Sequence, residues 1–81
     1  MTKKVSAIVP IFNEQKTLEA VLTTLVSSSY ISEVIVVNDC STDSSLAKLQ
    51  KIKGITLINL SKNHGKAYAI AKGIEKASSE I

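Results

Sequence analysis

The sequence has no arginine and no tryptophan, and in 81 residues it holds only one cysteine, one proline and one phenylalanine. Arginine's planar fork is the usual tool for gripping phosphates and base edges, and aromatic side chains supply the platforms on which bases stack. A chain without the first and with few of the second is a poor nucleic-acid binder. Its net charge of +3 comes from ten lysines set against seven acids. The lysines are scattered, as on a solvated surface rather than in a basic patch. One cysteine excludes an internal disulfide framework and suits a reducing compartment. No apolar run approaches the ~18 residues that span a bilayer. The stretch after Met1-Thr-Lys-Lys4 is broken by Pro10 and is too short for the core of a signal peptide. Together these absences predict a cytoplasmic chain. Two more absences narrow the chemistry. No Gly-x-Gly-x-x-Gly follows the first hydrophobic run, which argues against NAD and FAD. No cluster of Cys, His, Asp and Glu has metal-ligand spacing.

What is present is an alternation. Val5 to Val9 is a short apolar run ending at Pro10, as expected of a strand buried on both faces. Asn13 is placed to cap a following helix, in which Leu18, Val21, Leu22, Leu25 and Val26 share one face until Ser27-Ser-Ser29. Val34 to Val37 is a second, β-branched strand. Ser41-Thr-Asp-Ser44 offers caps for a short helix carrying Leu46, Leu49 and Ile52, stopped by Lys53-Gly54. Ile55 to Leu60 reads as a third strand and Ser61 to Gly65 as a polar loop. Ala67, Ile70, Ala71, Ile74 and Ala77 then mark the inner face of a third helix, and Ile81 opens a fourth strand. This βαβαβα order predicts an α/β fold, a Rossmann-like parallel sheet with helices against its faces. Residues 1–81 form one domain at most, and read as the N-terminal part of a larger one. At this size only roughly 60–65% of the unfolded surface is buried, so stability is marginal.

In such a sheet, ligands bind beyond the carboxyl ends of the strands. The polar residues expected there are Pro10 to Glu14, Asn38 to Asp43 and Ser61 to Lys66. Asp39 is the sharpest candidate. An ionised carboxylate only accepts hydrogen bonds, which matches the imide N–H of uracil or the N–H edge of guanine. The plainer reading is that Asp39 caps the Ser41–Ser44 turn. Pro10 and Phe12 are candidates for a wall against the base, with ordinary core as the plainer reading of Phe12. Glu14 can be a favourable acid in a helix's first turn, and Asp43 likewise a helix-terminus residue. Lys66, after Gly65 at the start of the third helix, is placed to hold a phosphate beside open N–H groups. Cys40 and His64 would make a nucleophile and base only if the fold brought them together, and no third group is evident.

At these residues the chain closely resembles the family 2 glycosyltransferases of the GT-A fold. Val5-Ser-Ala-Ile-Val-Pro-Ile-Phe-Asn-Glu14 resembles that family's opening strand and its Pro-x-(Tyr/Phe)-Asn-Glu turn. Val36-Val-Asn-Asp-Cys-Ser-Thr-Asp43 resembles its Val-Asp-Asp-Gly-Ser-Thr-Asp segment, and Asn63-His-Gly-Lys-Ala-Tyr-Ala-Ile70 its Asn-x-Gly-Lys-Gly-x-Ala-Ile stretch. Each motif alone is modest. Three in order, covering Val5 to Ile81, are specific. The resemblance implies a nucleotide-sugar site built from Pro10, Phe12, Glu14 and Asp39, to which the residue reading adds Lys66, and transfer of a sugar from a UDP- or GDP-sugar to an acceptor. The Gly-Lys form of the third motif is similar to that of enzymes charging polyprenyl or dolichyl phosphate. Membrane contact is then expected only through the acceptor or through further C-terminal segments. The family's Asp-x-Asp motif, which holds Mg²⁺ or Mn²⁺ on the diphosphate, would follow the fourth strand and is not within these residues. The 81 residues by themselves are therefore expected to bind no metal, to bind nucleotide weakly and to transfer nothing. Three positions depart from the pattern. Asn38 stands for the first Asp, Cys40 for a Gly, and Ala67 for the second Gly of Gly-Lys-Gly. Two other classes remain open. A nucleotidyltransferase would carry a Gly-rich, Arg-containing loop where this chain has Pro10-Ile-Phe-Asn13. A non-catalytic nucleotide-binding fragment would end near Ile81.

Overall fold

The computed structural model describes residues 5–77. Three strands and three helices alternate along it: β1 (Val5–Ile11), α1 (Leu18–Val26), β2 (Ile31–Asn38), α2 (Ser45–Gln50), β3 (Thr56–Asn59) and α3 (Lys66–Lys76). The strands form one parallel sheet in the order β1-β2-β3. Ile11 lies opposite Asn38, and Asn38 opposite Asn59. All three strands therefore end on one line, and their polar continuations emerge side by side.

The central strand shows why the fold is two-sided. Val34 to Val37 are all buried, and successive side chains point to opposite faces. Val34 and Val36 join Ile11, Leu18, Leu22 and Leu49 in one core, beneath α1 and α2. Ile35 and Val37 join Ala69 in the other, flanked by Ile8 and Ile58, beneath α3. Burying each of Leu18, Leu22 and Leu49 is worth roughly 1.5–3 kcal/mol, which is how so short a chain holds its helices to the sheet.

Three expectations need correcting. β1 does not stop at Pro10 but continues through it to Ile11. The Ile11 carbonyl accepts from the Asp39 N–H at 2.8 Å and so faces β2. Pro10, one residue earlier, turns its nitrogen to the outer edge, where a missing N–H costs no β1–β2 bond. The inner face of α3 is not the Ile70/Ile74 face. Ala69 and Gly73 are buried, while Ile70 and Ile74 are 39% and 46% exposed. The sheet selects the smallest residues because the helix lies close against Ile8 and Val37. In α1 the buried pair is Leu18 and Leu22, and Val21 and Val26 face outward. The fourth strand expected at Ile81 lies outside the described residues.

Candidate functional site

The line of strand ends is cross-tied by side chains. After Ile11 the chain turns sharply at Asn13, whose φ of 52° lies in the left-handed region. Asparagine tolerates this conformation better than most residues. The turn aims Asn13 at the neighbouring loop, not at α1. Its Oδ1 accepts from the N–H groups of Thr42 (2.7 Å) and Asp43 (3.2 Å). The expected cap of α1 is thus a bridge between loops, and Thr17, at the N-cap of α1, makes no side-chain cap bond. The bridge is reciprocated from both sides. The Glu14 N–H donates to Ser45 Oγ at 3.0 Å, the Ser44 N–H to Gln15 Oε1 at 2.7 Å, and Lys48 Nζ to the Gln15 carbonyl at 2.7 Å.

Asp43 belongs to this clasp. Its Oδ1 accepts from the Ser45 N–H at 2.8 Å and its Oδ2 from the Gln15 N–H at 3.4 Å. Partial desolvation pushes its carboxyl up, but hydrogen bonds from Ser45 and Gln15 outweigh this and leave it below its ordinary 3.8. A carboxyl lowered by folding stabilises the fold above its unfolded value, and that contribution is lost as pH falls through the folded value. Acid titration of stability should therefore show a component disappearing below about pH 4. Unfolding curves of Asp43→Asn should lack that component, and an unchanged acid limb in the variant would remove Asp43 from the clasp.

Asp39 sits at the centre of the line, 3% exposed. It does not cap the Ser41–Ser44 turn. Its Oδ1 accepts from the His64 N–H and its Oδ2 from the Gly65 N–H, both at 2.9 Å. Asn63 Nδ2 reaches the Asp39 carbonyl at 3.3 Å. The end of β2 thus grips the loop that leads into α3. Gly65 closes that loop with a φ of 89°, a conformation for which glycine has no steric cost. Gly65 provides no side-chain cap, so the first N–H groups of α3 stay open for an anion beside Lys66.

The other expected site residues gather around the same line. Pro10 is half-buried at the end of β1. Phe12 is 39% exposed and is not core. Glu14 lies before α1 rather than in its first turn, and its Oε1 accepts from the Phe12 N–H at 3.3 Å. Lys66 is exposed and opens α3. Cys40 has a φ of 57°, so the backbone angle a glycine would supply is kept with a side chain present. Its Sγ donates to the Ser61 carbonyl, whereas the His64 ring packs on Tyr68 at 4.1 Å. The two make no nucleophile–base pair. Among the described residues no three His, Cys, Asp or Glu side chains come together to hold a metal. Asp39, Asp43 and Glu14 each accept backbone N–H groups, of His64 and Gly65, of Gln15 and Ser45, and of Phe12. A cleft of about 670 Å³ lies elsewhere, between α1 and α2, lined by Thr23, Val26, Lys51 and Ile52 among others. It includes none of the strand-end residues.

Sequence reasoning missed Gln15, Ser45 and the tie from Asn38 to Asn59, and it set Asn13, Asn38 and Ser41 at the strand ends without their partners. The available signal was the pairing of two polar loops, Asn13-Glu-Gln15 and Ser41-Thr-Asp-Ser-Ser45, at the ends of adjacent parallel strands.

Residues 6–81 match the family model for glycosyl transferase family 2. An uncharacterised glycosyltransferase of Synechocystis is 36% identical over 95% of this chain and 27% of its own length. A dodecaprenyl-phosphate galacturonate synthase of Rhizobium johnstonii is 32% identical over 96% of this chain and 26% of its own length. The poly-beta-1,6-N-acetyl-D-glucosamine synthase of Staphylococcus aureus is 35% identical over 83% of this chain and 17% of its own length. The crystal structure of S. aureus TarS superposes with a TM-score of 0.81 at 28% identity, covering 96% of this chain and 25% of that one. The chain thus spans about a quarter, or less, of the proteins it matches. No helix among the described residues is long and apolar enough to cross a membrane. With its three motifs set on the ends of this parallel sheet, the chain belongs to glycosyl transferase family 2 and forms the N-terminal part of that family's GT-A fold.

Proposed function

We propose that this chain supplies the nucleotide-binding half of an enzyme that transfers a sugar from a UDP- or GDP-sugar to a lipid phosphate or a glycan. The observation that carries the reading is the position of Asp39. Its carboxylate lies where three strand ends meet, oriented by the His64 and Gly65 N–H groups. Each oxygen accepts one N–H and keeps a second lone-pair position for the N–H edge of a base. Phe12, half-exposed beside Pro10, offers the ring face against which the base lies. Glu14 holds the Phe12 backbone in place. Lys66 and the open N–H groups of α3 take the diphosphate. The lipid-phosphate acceptor is favoured by the named activity of the Rhizobium relative, the glycan by that of the Staphylococcus synthase. In this reading Mg²⁺ or Mn²⁺ is held by acids outside the described residues, and the enzyme works at the cytoplasmic face of a membrane.

Calorimetric titration of the full-length protein with UDP, GDP, CDP and ADP, each with Mn²⁺, tests the base-reading step. UDP or GDP should bind at least about tenfold tighter than CDP and ADP, since a lost base-edge bond is worth roughly 1.4 kcal/mol or more. Equal affinity for all four rejects the role of Asp39. Binding of none rejects the nucleotide reading.

A further inference from the structure

We propose that Asn38 is a positioning residue of the donor site, acting through Ser41 on the loop that carries Phe12, Asn13 and Glu14. This rests on the donor-site reading above. Asn38 is the last residue of β2 and is 1% exposed. Its side chain is used at both ends. Asn38 Nδ2 donates to Asn59 Oδ1 at 2.8 Å, tying β2 to the end of β3. Asn38 Oδ1 accepts from Ser41 Oγ at 2.5 Å. Ser41 Oγ in turn accepts from the Asn13 N–H at 3.1 Å. One relay therefore runs from β3 through β2 to the turn after β1: Asn59, Asn38, Ser41, Asn13.

The direction of the relay explains why an amide stands at this position. With Asn59 Oδ1 turned toward it, the group at 38 donates toward β3 and accepts from Ser41. An amide does both at once, whereas a carboxylate only accepts. Ser41 is then fixed with its lone pair toward Asn13, whose φ of 52° sets the exit of the chain from β1. Phe12 precedes that residue and Glu14 follows it. The position of the ring and of the carboxylate that fixes its backbone thus depends on a hydrogen bond made two residues beyond Asp39. Asn38 touches no substrate in this scheme.

The test uses four variants of the full-length protein. Asn59→Asp keeps an acceptor for Asn38 Nδ2 and serves as the single-variant reference for the pair. Asn38→Asp is partly rescued, because the exposed Asn59 amide can rotate to donate. The double variant N38D/N59D sets two acceptors against each other with no donor between them. Its affinity for UDP or GDP with Mn²⁺ should fall at least about tenfold relative to the wild type, a loss of roughly 1.4 kcal/mol. Ser41→Ala, which breaks the relay in the middle without touching the core, should lose affinity by a similar factor and serves if the double variant does not fold. Affinities are read at a temperature where circular dichroism shows each protein folded, so that stability alone cannot move them. Hydrogen exchange of the Asn13 amide, read without nucleotide, should quicken in both the double variant and S41A. Unchanged affinity in these two variants, beside a wild type that binds, overturns the positioning role alone. A wild type that binds neither nucleotide overturns the donor-site reading and the role with it. Unchanged Asn13 exchange overturns the relay itself.

Discussion

Asp39→Ala is expected to abolish measurable nucleotide binding and to lower the unfolding free energy by about 2–3 kcal/mol. The two effects come from the same two oxygens. In the folded chain each accepts one backbone N–H, from His64 and from Gly65. Bonds from N–H to an ionised acceptor are worth roughly 1.5–3 kcal/mol each. Both donor residues are exposed, so water replaces part of the loss, which places the sum near the low end. The ligand effect has a second source. Without the carboxylate, the loop from Ser61 to Gly65 loses its anchor to β2, and Lys66 with the α3 N-terminus is no longer held at a fixed distance from the base. Asp39→Asn separates the parts. It keeps the shape and one acceptor but turns an NH₂ toward a backbone donor, so it should lose about half the stability of the alanine variant and nearly all the base selectivity. Urea unfolding and nucleotide titration of both variants, side by side, make the check. If Asp39→Asn binds UDP and GDP as the wild type does, the carboxylate does not read the base. If Asp39→Ala is as stable as the wild type, the loop is held by something else.

How much of this was legible beforehand varies from residue to residue, for physical reasons. β2 was legible because four consecutive β-branched residues buried on both faces leave no other reading, and Asp39 was legible because it is the first ionisable group after that run. The partner of Asp39 was not. A carboxylate that grips a loop 25 residues later looks, in sequence, like a cap for the turn beside it. Asn13 was assigned to α1 for the same reason, since N-capping is local and its bonds to Thr42 and Asp43 cross from one strand end to the next. The inner face of α3 was misread because hydrophobicity ranks isoleucine above alanine and glycine. Contact distance ranks them the other way when a helix lies tight on a sheet. Three motifs in order still fall in one place, because the parallel register brings the ends of β1 and β2 and the loop into α3 to one line whatever joins them.

That tight contact makes Gly73 the position where one added side chain should destabilise the fold most. A β-carbon built at Gly73 would lie 2.4 Å from Ile8 Cγ2, 3.3 Å from Ile8 Cδ1 and 3.4 Å from Val37 Cγ2. Carbon atoms rest about 3.5–4.0 Å apart. Ile8 Cγ2 is attached at the branch point of a strand residue and cannot swing clear, so α3 must lift from the sheet or β1 must give way. Gly73→Ala gains about 1 kcal/mol in helix propensity and loses roughly 1–3 kcal/mol to overpacking, for a net cost of about 1 kcal/mol. Gly73→Val adds two more carbons in the same gap and a poorer helix former. It should cost about 3 kcal/mol or more, a large share of a small domain's total. Ile8→Ala removes the clashing methyl, so in a double-mutant cycle the I8A and G73A effects should be less than additive, with coupling of about 1–2 kcal/mol. The clash also reaches the ligand site. α3 begins at Lys66, and a helix lifted at Gly73 carries its N-terminus away from Asp39. Gly73→Ala, still folded, should therefore weaken nucleotide binding more than an alanine placed at exposed Lys76. Equal affinity in those two variants would show that α3 moves without the site. Wild-type stability in Gly73→Val would show that the helix does not rest on Ile8 at all.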